Sequence, residues 1–137
     1  MLLTYVQRTG RLIKPDGSLL AVGYSGDSIV GGPQGLNNPD LQSTARVGPI
    51  PVGFYTIGPP HHPIDHLGPI AMPLVPSTGN QMFGRSAFFM HGDNQAMDHT
   101  ASEGCIVLLK IARAYVAAHF IGRQLRVVAE DADALTG

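Results

Sequence analysis

Seventeen glycines and eleven prolines punctuate a chain of 137 residues, and this constrains the fold more than any other feature. Inside a helix, each glycine costs about 1 kcal/mol and each proline about 3 kcal/mol relative to alanine. A helical bundle is therefore a poor solution, and many short strands joined by turns are the expected one. Hydrophobic residues make up 44% and charged residues 14%, the composition of a globular chain and not of a disordered one. The length suits one domain, residues 1–137, with a single core. The formal net charge is −1, and nine Lys and Arg are scattered without a run, which argues against a nucleic-acid partner.

Along the chain, "LLTYVQ" and "RLIK" flank a Thr9–Gly10 turn, and Pro15–Asp16–Gly17–Ser18 turns the chain into "LLAVGYS", so a meander is expected. Residues 25–47 hold no sustained period and read as a long loop. "GPIPVGFYTIG" resumes extended structure, and the next loop, "PPHHPIDHLGP", precedes "IAMPLVP". Pro73 interrupts that segment, which predicts an edge strand. "SAFFMHG" reads as a short strand ending at His91, and Cys105 opens "CIVLL". The spacing predicts a helix over about 110–121, apolar at Ile111, Ala114, Tyr115 and Ala118 and stopped by Gly122. "RQLRVVA" predicts a last strand, followed by a frayed tail.

Cys105 is the only cysteine, so no internal disulfide is possible. A free thiol has a pKa near 8.5 and needs a base within reach to become a nucleophile. Glycine before it permits a tight turn and close approach of substrate to the peptide N–H groups. His91, at a strand end, is a base held by rigid backbone, 14 positions upstream. His99 is nearer but lies mid-loop. His61, His62 and His66 fall in a proline-broken loop, and His119 falls in the predicted helix. The alternative for Cys105 is a small residue of an apolar core. "HHPIDH" invites a zinc reading, but Pro63 prevents a helix from aligning His62 with His66, and a His91/His99/Cys105 site would imply a metal-activated water. No metal or other cofactor is expected. Tyr24 and Ser25 either line a groove or pack at a strand end, and Asp93 either orients His91 or caps the following loop.

"HGDNQAMDHTASEGCIVL" resembles the active-site signature of the L,D-transpeptidases of the YkuD type. The chain is most similar to the type VI secretion L,D-transpeptidase effector family. The likeness lies in "GYSG" (23–26), "GPIPVGFYTIG" (48–58), "GR" (84–85), "MHGD" (90–93) and "SEGCIVL" (102–108). It implies a mainly β fold, a sandwich or half-barrel with one helix after the cysteine. It implies Cys105 as acylating nucleophile, His91 as its base, and Gly104, Ser102 and Gly92 as the framework whose peptide N–H groups line an oxyanion hole. The common signature has histidine before the Gly-Cys pair and arginine two places after the cysteine. Glu103 and Val107 stand there, which leaves Arg85 and Arg113 as candidates for a substrate carboxylate.

The resemblance implies action on peptidoglycan stem peptides, with hydrolysis and transfer both open, and implies a secretion-system carrier and a cognate immunity protein. The N-terminal segment lacks a basic region followed by a long apolar one, and no apolar run approaches the roughly 20 residues of a membrane span. A chain made in the cytoplasm, exported without its own leader and acting in a target-cell periplasm is expected. A cell-wall cysteine endopeptidase or amidase is an alternative, opposed by the order of His91 before Cys105. A non-catalytic phage or secretion-tail binding module is another.

Overall fold

The computed structural model describes residues 2–27, 34–60, 70–92 and 104–135. Among the described residues nine strands form one sheet, in the order β3 (Leu19–Val22), β2 (Arg11–Ile13), β1 (Leu2–Val6), β9 (Gln124–Val128), β5 (Gly53–Ile57), β6 (Met72–Pro76), β7 (Phe89–His91), β8 (Ile106–Val107), β4 (Tyr24–Ser25). The meander is present: β1 (Leu2–Val6) pairs antiparallel with β2 (Arg11–Ile13), which pairs with β3 (Leu19–Val22). The Asp16 carboxylate holds the intervening turn by accepting from the Ser18 amide (2.9 Å) and hydroxyl (2.6 Å), the local bonding for which aspartate is favoured in turns. β4 (Tyr24–Ser25) follows after a single residue, Gly23, yet stands at the opposite end of the strand order. Strands that begin and end the order are thus consecutive in the chain, and the sheet is nearly closed into a barrel. Of the expected sandwich or half-barrel with one helix, the structure has a mainly β, barrel-like sheet with one helix after the cysteine.

Gly23 makes that closure sterically possible. Its N–H donates to the Gly10 carbonyl (2.8 Å). A Cβ on Gly10 would collide with the Gly23 carbonyl oxygen, and a Cβ on Gly23 with the Val107 carbonyl oxygen. The centre of the sheet is β1, β9 (Gln124–Val128) and β5 (Gly53–Ile57): β1 and β9 run parallel over five residue pairs, and β5 runs antiparallel to β9. Leu3, Tyr5, Tyr55, Ile57 and Leu125 are fully buried there, and each aliphatic side chain of this kind contributes about 1.5–3 kcal/mol.

Three sequence expectations are corrected. β6 (Met72–Pro76) is not an edge strand, because β5 pairs its Leu74–Pro76 half and β7 (Phe89–His91) its Met72–Pro73 half. Pro73 is tolerated because its side of the backbone faces past the last β5–β6 pair, Ile57–Leu74, where only its carbonyl is used, by the Gly58 N–H (2.8 Å). The helix α1 (Lys110–His119) buries Ala112, Arg113 and Val116, with Phe120 at its end, while Ile111 is 80% exposed and Ala114 and Ala118 face solvent. Two apolar stripes compete on this alanine-rich segment. Ala112, Val116 and Phe120 join the main core, and Arg113 Nε bonds the Leu108 carbonyl (3.1 Å). The tail is ordered as a 3-10 helix over Asp131–Leu135, held by Arg126 Nη2 on the Ala134 carbonyl and by Thr9 on Asp131 (both 3.1 Å). The long loop also holds a 3-10 turn, Pro39–Leu41, which Asn38 caps on the Asp40 amide. Among the described residues no helix is long and apolar enough to cross a membrane.

The closure generates a prediction. Gly10 and Gly17 both have positive φ (75° and 89°), but a Cβ on Gly17 meets nothing within 4 Å. Gly17→Ala should cost about 1 kcal/mol from backbone strain, and Gly10→Ala well beyond about 2 kcal/mol from strain plus the clash. Urea unfolding midpoints of the two variants measure the difference.

Candidate active site

β7 and β8 (Ile106–Val107) run parallel, with Met90 opposite Ile106 and His91 opposite Val107. Cys105 lies immediately before β8 and is partly exposed. One step back along this register, Cys105 stands beside Phe89, two residues before His91 on β7. Met90 and Ile106 point into the core. The Cys105 sulfur is held against β7: it accepts from the Phe89 N–H at 3.3 Å, and its own S–H reaches the Ala87 carbonyl at 3.8 Å.

His91 is 1% exposed, and its Nδ1 lies 2.7 Å from the Gly92 carbonyl oxygen. A carbonyl only accepts, so this bond requires Nδ1–H and leaves the basic lone pair on Nε2. A buried imidazole with its tautomer set in this way can take a proton at one defined nitrogen.

The turn entering Cys105 is braced on two sides. Gly104 has φ 130°, a conformation open essentially to glycine alone, and a Cβ there would collide with Arg85 Nη2. The Ser25 hydroxyl donates to the Gly104 carbonyl and accepts from the Ile50 N–H, both at 2.9 Å. Ser25 itself is fully buried in β4, paired with Ile106. Arg85 is 8% exposed and donates to the carbonyls of Gln42, Pro49 (2.8 Å) and Gly48 (3.0 Å). Burial lowers its guanidinium pKa from the usual value, while Tyr55 and Cys105 oppose that by favouring the cation. Burial likewise raises the Tyr55 phenol, which donates to the Pro51 carbonyl at 2.7 Å.

Of the residues the sequence singles out, Cys105, His91, Gly104, Gly92, Tyr24, Ser25 and Arg85 are brought to the β4–β8–β7 end of the sheet. Tyr24 is buried opposite Val107 and lines a cavity. Ser25 and Arg85 hold the cysteine turn from behind. Ser102 and Asp93 lie outside the described residues, as do Glu103, His99 and the "HHPIDH" segment. Sequence reasoning missed the Phe89 amide on the sulfur, because a backbone donor leaves no side-chain signature.

A family model for the Tlde1 domain matches residues 21–130. The chain belongs to the Tlde1 domain family. This is the type VI secretion L,D-transpeptidase effector family, and membership carries a secreted effector role with peptidoglycan as the implied target and an immunity protein as the implied partner. The match runs from β3 to the end of β9, so the Tlde1 region includes both His91 and Cys105. No curated protein and no solved structure gives a significant match.

Removing the Ser25 hydroxyl would strand a buried carbonyl and a buried N–H at once. Ser25→Ala should therefore cost about 2 kcal/mol and change the rate of Cys105 alkylation. Ser18→Ala, on an exposed turn, should do neither. Chemical denaturation and timed iodoacetamide labelling check both halves.

Proposed function

We propose that this chain is a cysteine enzyme of peptidoglycan tetrapeptide stems, an L,D-carboxypeptidase or L,D-transpeptidase working through a thioester on Cys105. The observation that carries the reading is the parallel β7–β8 register, with the Cys105 sulfur against Phe89 two residues before His91, whose Nδ1–H bonds the Gly92 carbonyl. Membership of the Tlde1 domain family supports it.

In this mechanism His91 Nε2 takes the thiol proton as Cys105 Sγ attacks the carbonyl of the L-centred diamino acid at position three. Negative charge develops on the carbonyl oxygen. Peptide N–H groups of the Gly104–Cys105 turn, within the Ser102–Gly104 framework, stabilise it. The C–N bond to the terminal D-alanine then breaks, and the imidazolium proton goes to the departing amine. Water attacks the thioester to give a shortened stem, or an amine attacks it to give a cross-link or an exchanged D-amino acid. Either acceptor restores the thiol. The Arg85 cation and the Ser25 bridge keep the Gly104 turn preorganised, so the donors need not reorganise as charge develops. Acting on wall peptides, the enzyme works in the periplasm of a target cell, where an immunity protein protects siblings of the producer.

Incubation with purified tetrapeptide muropeptides, followed by mass spectrometry, should show loss of D-alanine or its exchange for an added D-amino acid. Cys105→Ala should reduce turnover at least about 10³-fold, and His91→Ala should do so in a protein that still unfolds cooperatively, at a lowered midpoint because the side chain is buried. His99→Ala should be tolerated. Unchanged muropeptides with the wild type would refute the assignment.

A second prediction concerns place. Fused to a secretory leader, the chain should arrest growth or distort cell shape, whereas cytoplasmic expression should be nearly harmless because precursors there carry pentapeptides. Growth curves and microscopy of the leader-fused wild type and Cys105→Ala test this. Toxicity of the exported Cys105→Ala would point instead to wall binding without chemistry.

A further inference from the structure

Arg85 lies on the connection from β6 to β7 and is buried. The backbone that carries it is strained on both sides: Phe83 and Ala87 have positive φ (57° and 64°). Residues with a Cβ rarely adopt that conformation, and it persists only where the surroundings impose it. Carbonyls of the β4–β5 loop clamp the guanidinium: Nη1 donates to Gln42 and Pro49, and Nη2 to Gly48. Its Cζ also stands 5.2 Å from the centre of the Phe88 ring.

The clamp sets the cation against the cysteine turn. A Cβ on Gly104 would strike Arg85 Nη2 and come within 2.9 Å of Phe88, so Nη2 packs on the residue directly before Cys105. Chain geometry then limits the separation of Nη2 and the Cys105 sulfur to about 10 Å. Gly104 and Arg85 are both buried, so salt screens the pair little. Cys105 favours the Arg85 cation, and by reciprocity the cation favours the thiolate.

From β7 the Phe89 N–H points at the sulfur (3.3 Å), and a donor bonded to sulfur also favours the anion. The S–H contact to the Ala87 carbonyl favours the thiol, but at 3.8 Å it is the longer of the two. The other charged or titratable groups packed near, among the described residues, come from three elements. They are His91 on β7, Tyr55 on β5, kept neutral by burial, and Arg113 of α1, which packs on Gly92.

We propose that Arg85 is a positioning residue for the nucleophile: its clamped cation, against the Gly104–Cys105 turn, and the Phe89 N–H together hold the Cys105 sulfur as thiolate. The inference deepens the proposed function and rests on it for what the thiolate attacks. As His91 Nε2 takes the proton, the S–H bond breaks and its electron pair stays on sulfur. Cation and amide stabilise that charge before a substrate carbonyl arrives. At about 10 Å, in the effective dielectric of a protein, one charge moves another's titration by about one pH unit, a tenfold change in thiolate fraction.

The test is the pH profile of iodoacetamide labelling of the full chain, which needs no wall substrate. Wild-type Cys105 should label with a pKa below the ordinary value near 8.5. Arg85→Met should raise that pKa by about one unit and slow labelling about tenfold at pH 6. Arg85→Lys, which keeps a cation, should restore most of the loss. Ser25→Ala loosens the same turn without removing a charge, so it should change the limiting rate at high pH and leave the labelling pKa in place. In NMR spectra of the wild type, the Arg85 Nε–H signal should move with pH at the labelling pKa, and that movement should be absent in Cys105→Ala. This readout decides even where Arg85→Met does not fold. A folded Arg85→Met with the wild-type pKa, equal pKa shifts in Arg85→Met and Ser25→Ala, or a stationary Arg85 signal overturns the inference. An intact labelling profile beside unreacted muropeptides refutes the proposed reaction and leaves the tuned thiolate standing.

Discussion

The backbone contact at Gly23 is the constraint on which the rest of this structure depends. One residue, without a side chain, separates the first and last strands of the sheet order, donates to the Gly10 carbonyl and sits against the Val107 carbonyl. Any Cβ at this junction would force the ends apart. Near-closure removes most of the exposed edge that a nine-stranded sheet would otherwise present. It also brings β4 alongside β8, and with β4 comes the Ser25 hydroxyl that fixes the turn before Cys105.

The candidate site combines features that act in opposite directions on stability. Gly104 in a conformation reserved for glycine, two buried arginines and a buried histidine are all unfavourable in isolation. Each is compensated by backbone: Arg85 by three carbonyls, Arg113 by Leu108, His91 by Gly92. The three carbonyls that Arg85 uses lie in the loop between β4 and β5, and those of Gly92 and Leu108 directly follow β7 and β8. Val107, two places after the cysteine, lines the cavity together with Lys110 and Arg113 of α1.

The strands on either side of clear turn chemistry were legible in the residue pattern: the Thr9–Gly10 and Asp16–Gly17 turns delimit β1, β2 and β3, and Gly122 stops the helix. Local rules failed where two solutions were locally equivalent. Pro73 argued for an edge, but an antiparallel ladder uses only alternate groups on each side, and the proline falls where no donor is needed. The α1 faces are both apolar enough to bury, and packing of Ala112, Val116 and Phe120 into the core made the choice. Asp131–Leu135 lacks any apolar period, and its order comes from contacts with Arg126 and Thr9.

By itself the sequence determined a mainly β domain, the single thiol, the strand-end histidine and the family to which both belong. Those follow from residue types and short spacings, which act within a few positions of the chain. Tertiary structure alone decided that the sheet curls into a near-barrel, that β7 and β8 run parallel with His91 opposite Val107, and that Ser25 and Arg85 support the cysteine turn while Arg113 faces the cavity. Those depend on pairings between residues far apart in the chain, such as Phe89 with Cys105, 16 positions on, and Ser25 with Gly104, 79 positions on, which packing and closure select and no local pattern encodes.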